Sequence, residues 1–267
     1  MIFPQPLSRV AERVSRHDFV LDALPPSGGL PLGNGDVSAS LYGGPGFLAL
    51  SVRKHDAPVG EIVLRIHSPE SGGIRPATRD PRPVTLRLYD ATAHVSFPDG
   101  VEVETFVAAN RNLIVLRIRS GHPARLPASL ELSSPGSQFR ADGPFRYARR
   151  ETCDLLLVMC GFVYGARSHS TVREDAVVAA FDLPPSGECL ILVGVAPDAP
   201  DPAHRARTEV ERALPHGYLL LQREHAVSWE RFWESAETEH AGTLGKTLDC
   251  RKNYALKSQR RNPDHLP

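Results

Sequence analysis

The side chains best suited to chemistry in this sequence are carboxylates. Asp18, Asp22, Asp36, Asp56, Glu61, Glu102 and Glu104 supply groups that in pairs can divide the work of a general acid and a general base. Their spacing selects no pair, and carboxylates at strand edges and turns are common in any β protein, so no residue is assigned a catalytic role. Gly33-Asn34-Gly35 has two readings. Its glycines can close a turn at positive φ, or its Asn34 amide and backbone can face a hydroxyl-bearing ligand. The turn is the favoured one. No GxGxxG or Walker pattern makes it a phosphate cradle, and no GxSxG elbow marks a nucleophile. With Asp36, and with Lys54, His55 and Asp56 at the end of the following strand, Asn34 forms a candidate rim, for which a solvated edge is the plainer reading.

His225, Trp229, Phe232 and Trp233 recur at helical steps and therefore share one face of a helix. Indole rings can stack on the apolar face of a sugar ring, but two of them beside a phenylalanine more often make a packing seam, and His225 reads as a structural histidine within it. Four cysteines, Cys153, Cys160, Cys189 and Cys250, show neither a CxxC pair nor a Cys/His spacing suited to zinc. No metal and no cofactor is expected.

These residues must be held by mostly β elements. From His17 to about Val195 short runs alternate apolar and polar residues, broken by Gly, Pro, Asp and Ser at the intervals of an antiparallel sandwich. Ile62, Leu64 and Ile66 alternate with Val63, Arg65 and His67, and Val84, Leu86 and Leu88 repeat the pattern. Pro98-Asp99-Gly100 predicts a hairpin turn between strands ending at Phe97 and starting at Val101, and Asn110-Arg111-Asn112 a second turn. Ser68 to Pro83 and Ser133 to Pro144 read as long loops. Asp201-Pro202 starts a short helix that Pro215 and Gly217 stop, and a longer helix runs from Tyr218 to about Ala236. The expected organisation is an extension over 1–16, a sandwich over 17–200, closing helices of the same domain over 201–240, and a polar, disordered tail over 241–267.

Thirty-one basic residues balance thirty-one acidic ones, so no overall field draws the chain to nucleic acid or to anionic lipid. The first residues lack the continuous apolar core of a secretory signal and no segment reaches membrane-spanning length, which leaves the cytoplasm as the default expectation.

Three stretches, PLGNGDVSASLYG with FLALSVRKHD over 31–56, LRLYDATAHVSFPDGVEVETFVAANRNLIVLRI over 86–118, and LLLQREHAVSWERFWESAETE over 219–239, together resemble the N-terminal domain of family-95 glycoside hydrolases of the α-L-fucosidase type and their relatives. The resemblance spans roughly residues 17–239. It implies a large antiparallel super-sandwich with one or two C-terminal helices, and a place in a carbohydrate-active enzyme. It also implies an (α/α)-barrel partner that supplies the catalytic carboxylates, so that this chain by itself lacks a complete active site. Two other readings stay open. One is a carbohydrate-binding module, which would need an exposed aromatic platform although only 7% of residues are aromatic. The other is a structural or interaction sandwich without a sugar site.

Overall fold

The computed structural model describes residues 9–26, 29–54, 57–67, 83–97, 100–151, 156–197, 200–241, 254 and 257–258. His55, Asp56, Pro98, Asp99, Cys153, Cys250 and nearly all of the 68–83 stretch lie outside them.

The fold is a sandwich of two antiparallel sheets. Helix α1 (Arg9–Ser15) and strand β1 (Phe19–Leu21) come first, followed by β2 (Leu30–Gly33), β3 (Val37–Gly44), β4 (Phe47–Lys54) and β5 (Ala57–Ile66). A meander follows, of β6 (Val84–Arg87), β7 (Thr92–Phe97), β8 (Val101–Val107) and β9 (Leu113–Ser120). The chain then forms β10 (Leu126–Ser133), β11 (Gln138–Asp142), β12 (Phe145–Glu151), β13 (Leu156–Tyr164), β14 (Ser168–Val172), β15 (Ala176–Leu183) and β16 (Glu188–Ala196). Helix α2 (Pro202–Ala213) passes through a single 3₁₀ turn into α3 (Gly217–Ala241). The nine-stranded sheet has the order β1-β6-β7-β8-β9-β16-β13-β12-β11, and the seven-stranded sheet the order β14-β15-β10-β5-β4-β3-β2.

Alternation makes the core. In β3, Val37, Ala39 and Leu41 point inward between Ser38, Ser40 and Tyr42, and in β9 Ile114, Leu116 and Ile118 do the same. The inner faces of both sheets merge into one apolar cluster. Strand β16 departs from the pattern, with Cys189 to Ala196 all buried, because α2 covers its outer face. Asp201 caps α2 by accepting from the His204 N–H at 2.9 Å, and Pro202 opens the helix. Gly194 lets the helix lie directly on the strand, since a Cβ there would stand 2.1 Å from the Ala206 carbonyl oxygen.

The expected hairpin pairs Phe97 with Val101, and Gly100, at φ 69°, donates its N–H to the Phe97 carbonyl at 3.2 Å. One expectation needs correction. The stretch read as a loop before Pro144 contains β11, an exposed edge strand whose polar residues give no apolar alternation to detect. The expected N-terminal extension contains α1, which buries Ala11 and Val14 and packs against α3. Most of the tail expected over 241–267 lies outside the described residues; of those described, Tyr254 and Ser258 are buried, with partners in α3, β2 and the β2–β3 turn. Among the described residues no helix is long and apolar enough to cross a membrane.

Candidate functional site

The end of the sandwich where β2 turns into β3 gathers the predicted rim. Gly35 sits at φ 91°, which a side chain would strain, so the turn is built on it. The Asn34 side chain is spent on structure. Its Oδ1 accepts from the N–H groups of Asp36 at 2.9 Å and Val37 at 2.8 Å. Its Nδ2 donates to the carbonyls of Ala108 at 2.8 Å and Arg111 at 2.9 Å, in the turn between β8 and β9. All the donor and ordinary acceptor capacity of the amide is taken, so Asn34 joins the two sheets and has no donor to offer a ligand. Lys54 and Asp36 do come together, with Nζ 2.7 Å from Oδ2; Lys54 is only 2% exposed, while Asp36 keeps a partly solvated edge. His55 and Asp56 lie outside the described residues.

The aromatic stripe of α3 closes the same end. His225 stacks on Phe106 with centroids 4.4 Å apart, Trp229 and Trp233 are fully buried, and Phe232 meets both tryptophans edge-on at 5.6 and 4.9 Å. Trp233 Nε1 donates to the Leu88 carbonyl at 3.1 Å and the Tyr89 hydroxyl donates to Glu230 at 2.7 Å, which fixes α3 over the turn between β6 and β7. That turn also carries Asp90. Burial pushes the Asp90 carboxyl up to about 6 against the pull of Arg87, whose guanidinium lies 2.5 Å away. Burial likewise drives His225 down to about 3, so its imidazole is neutral at physiological pH.

The richest polar constellation lies elsewhere, on the outer face of the nine-stranded sheet, and sequence reasoning did not assemble it. Glu102 faces Arg119 and Glu104 faces Arg117 across β8 and β9, while Glu188 of β16 faces Arg119 from the other side. Arg119 reaches Glu102 at 2.6 Å and Glu104 at 3.5 Å, and Arg117 reaches Glu188 at 2.6 Å and Glu104 at 3.6 Å. His94 stands 3.6 Å from Glu104, and Arg117 lies over the Tyr218 ring at 4.6 Å. Beside them, Glu102, Arg119 and Glu188 line an open groove of about 390 Å³ with the backbone of three turns around Gly100, Gly121 and Gly187. The Glu104 and Arg117 pairing follows from a four-residue turn, Ala109 to Asn112, whereas the three-residue turn read at Asn110-Arg111-Asn112 would set Glu104 opposite Ile118. The contributions of Glu188 and Tyr218 need the sheet order and the helix.

On this face two guanidiniums stand among three carboxylates, so each carboxylate has a cationic partner. Burial opposes ionisation of Glu104, but the Tyr218 hydroxyl, His94, Arg119 and Arg117 outweigh it and hold the carboxyl below its ordinary range. His94 is pushed down to about 4 by burial and by Arg87. Glycoside hydrolysis needs one carboxyl kept protonated beside a second kept ionised. Glu104 is held as a carboxylate, and the raised carboxyl of Asp90 is engaged by Arg87 under α3. Buried Cys160 and Cys189 have thiols pushed up by burial to about 12 and about 11, which leaves them poor nucleophiles. Among the described residues no group of three or more His, Cys, Asp or Glu could hold a metal ion.

Neither a protein-family model nor a curated protein matches the sequence. Solved structures share the architecture. A protein described as a putative kojibiose phosphorylase from the human microbiome matches 81% of this chain with 38% of its own length, at 11% identity and TM-score 0.56. A bacterial glucoamylase solved with acarbose matches 90% of this chain with 44% of its own, at 10% identity and TM-score 0.52. The family-92 inverting mannosidase of Bacteroides thetaiotaomicron matches 75% with 32% of its own, at 10% identity and TM-score 0.51. At such identities the likeness is one of fold. This chain has the sandwich that occurs in these three carbohydrate-active proteins, and it spans less than half the length of each.

Proposed function

We propose that the chain is a non-catalytic N-terminal sandwich domain of a glycoside hydrolase, of the family-95 α-L-fucosidase type, which works with an (α/α)-barrel that carries the acid and base. The observation that carries this reading is the coverage, since the fold fills most of this chain and less than half of each matching carbohydrate-active structure. The electrostatics support it, because Glu102, Glu104 and Glu188 are held by Arg117 and Arg119. The likeness over 31–56, 86–118 and 219–239 is what points to the fucosidase type. A free-standing carbohydrate-binding module is less well supported, because both tryptophans that could form its platform are fully buried.

The test is a hydrolysis assay of the purified chain on aryl α-L-fucosides, galactosides and glucosides. No turnover above buffer is expected. Turnover that disappears on replacing Glu102, Glu104 or Asp90 by its amide would overturn the reading.

A further inference from the structure

Three residues near the C-terminus sit in a site made by two other parts of the chain. Tyr254 is fully buried, its ring stacked on Trp229 at 5.1 Å and 29°, and its hydroxyl donates to the Pro31 carbonyl at 2.7 Å. The Lys257 ammonium lies 4.5 Å from the ring centres of both Trp229 and Phe232 and donates to the Ser228 carbonyl at 3.4 Å. Ser258 is fully buried, and its carbonyl accepts from the Gly35 N–H at 3.3 Å.

Gly33 shows that the turn is shaped to receive this contact. Its neighbour Gly35 needs glycine for its positive φ, whereas Gly33 is a residue of strand β2. What Gly33 supplies is space, because a Cβ there would stand 2.0 Å from the Ser258 carbonyl oxygen. A cage of two aromatic rings around an ammonium, a third ring stacked behind it and a glycine opposite a backbone carbonyl make a peptide site with specific demands.

We propose that the cleft between α3 and the β2–β3 turn is a peptide-binding site, selective for an aromatic residue three positions before a lysine, and that it is filled in cis by Tyr254, Lys257 and Ser258 as a strap. The strap fastens α3 to the turn whose Asn34 ties the two sheets together, so its release uncovers the Trp229 and Phe232 surface and loosens that end of the sandwich. This goes beyond the proposed glycosidase role and does not depend on it.

The test uses the full chain. In the wild type, amide exchange read by NMR should show the Gly35 N–H protected, since the Ser258 carbonyl is its hydrogen-bond partner. Tyr254→Ala should speed that exchange by about fivefold to tenfold and raise acrylamide quenching of tryptophan by about threefold. Lys257→Met keeps the aliphatic stem and serves if Tyr254→Ala fails to fold; it should raise quenching to a smaller degree. A synthetic peptide spanning residues 250–262 should restore low quenching to Tyr254→Ala, whereas the same peptide with alanine at both 254 and 257 should not. A freely exchanging Gly35 amide in the wild type, quenching unchanged in both variants, or equal rescue by the two peptides would overturn the proposal.

Discussion

The side-chain amide of Asn34 and the main-chain carbonyl of Ala108, 74 residues apart in sequence, are joined by a 2.8 Å hydrogen bond that ties the seven-stranded sheet to the nine-stranded one. The same side chain makes three further hydrogen bonds, to Arg111, Asp36 and Val37. Asn34→Ala should therefore lower unfolding free energy by about 2–4 kcal/mol, because it takes the Asn34 amide from the Arg111 carbonyl and leaves the Ala108 carbonyl with the 3.4 Å bond from the Arg111 N–H, as well as freeing the N–H groups of Asp36 and Val37 from Oδ1. Asn34→Asp should be no milder, since it turns two donors into acceptors facing carbonyl oxygens. Urea midpoints check both, and an unchanged midpoint for Asn34→Ala would contradict the tie.

Trp233 is fully buried and also donates to the Leu88 carbonyl. Trp233→Ala should cost about 3–5 kcal/mol, the range for emptying a large aromatic site. Trp233→Phe keeps part of the packing but loses the donor, and should cost about 1–3 kcal/mol. Equal losses in the two variants, read by chemical denaturation, would mean that ring volume contributes little.

Acid should act through His225. Its folded pKa, about 3, lies below the ordinary 6.5, so the unfolded chain binds its proton first. The corresponding stability is complete above about pH 6.5 and is lost as pH falls toward 3. Asp90, raised to about 6, works with the opposite sign and is destabilising as pH rises from about 4 through 6. The readable quantity is therefore the difference between the wild type and His225→Phe, which keeps a ring against Phe106. Thermal melts from pH 7 to 4 should show a flatter acid limb for the variant, and parallel limbs would remove His225 from the account.

Gly194 is the contact point of β16 with α2. Gly194→Ala puts a methyl group against the Ala206 backbone and should cost about 1–3 kcal/mol as the helix is pushed off the sheet. A melting temperature equal to that of the wild type would show that α2 moves freely over the strand.

The sequence by itself determined the elements whose cause is local. Alternation set β5, β6, β7, β8 and β9, Asp201-Pro202 set the start of α2, and the spacing of His225, Trp229, Phe232 and Trp233 set one face of α3. It did not reveal β11, whose residues face water, or α1, which is too short for periodicity to stand out. Asn34 was recognisable as a turn residue, but its grip on Ala108 and Arg111 was not, because those bonds join two sheets. The same holds for the polar face. Arg117, Arg119, Glu102 and Glu104 were visible as outward residues, yet Glu188, Tyr218 and His94 reach them only through the order of strands and the path of α3. Lys54 looked like a solvated rim residue, and only the packing around it shows a buried ammonium paired with the half-buried Asp36. Tyr254 and Ser258 carry no local signal of burial, since the cleft that receives them is made by residues more than twenty positions upstream. Local backbone preference is encoded within a few residues and can be read there, whereas partners distant in the chain are chosen by the three-dimensional closure of the fold.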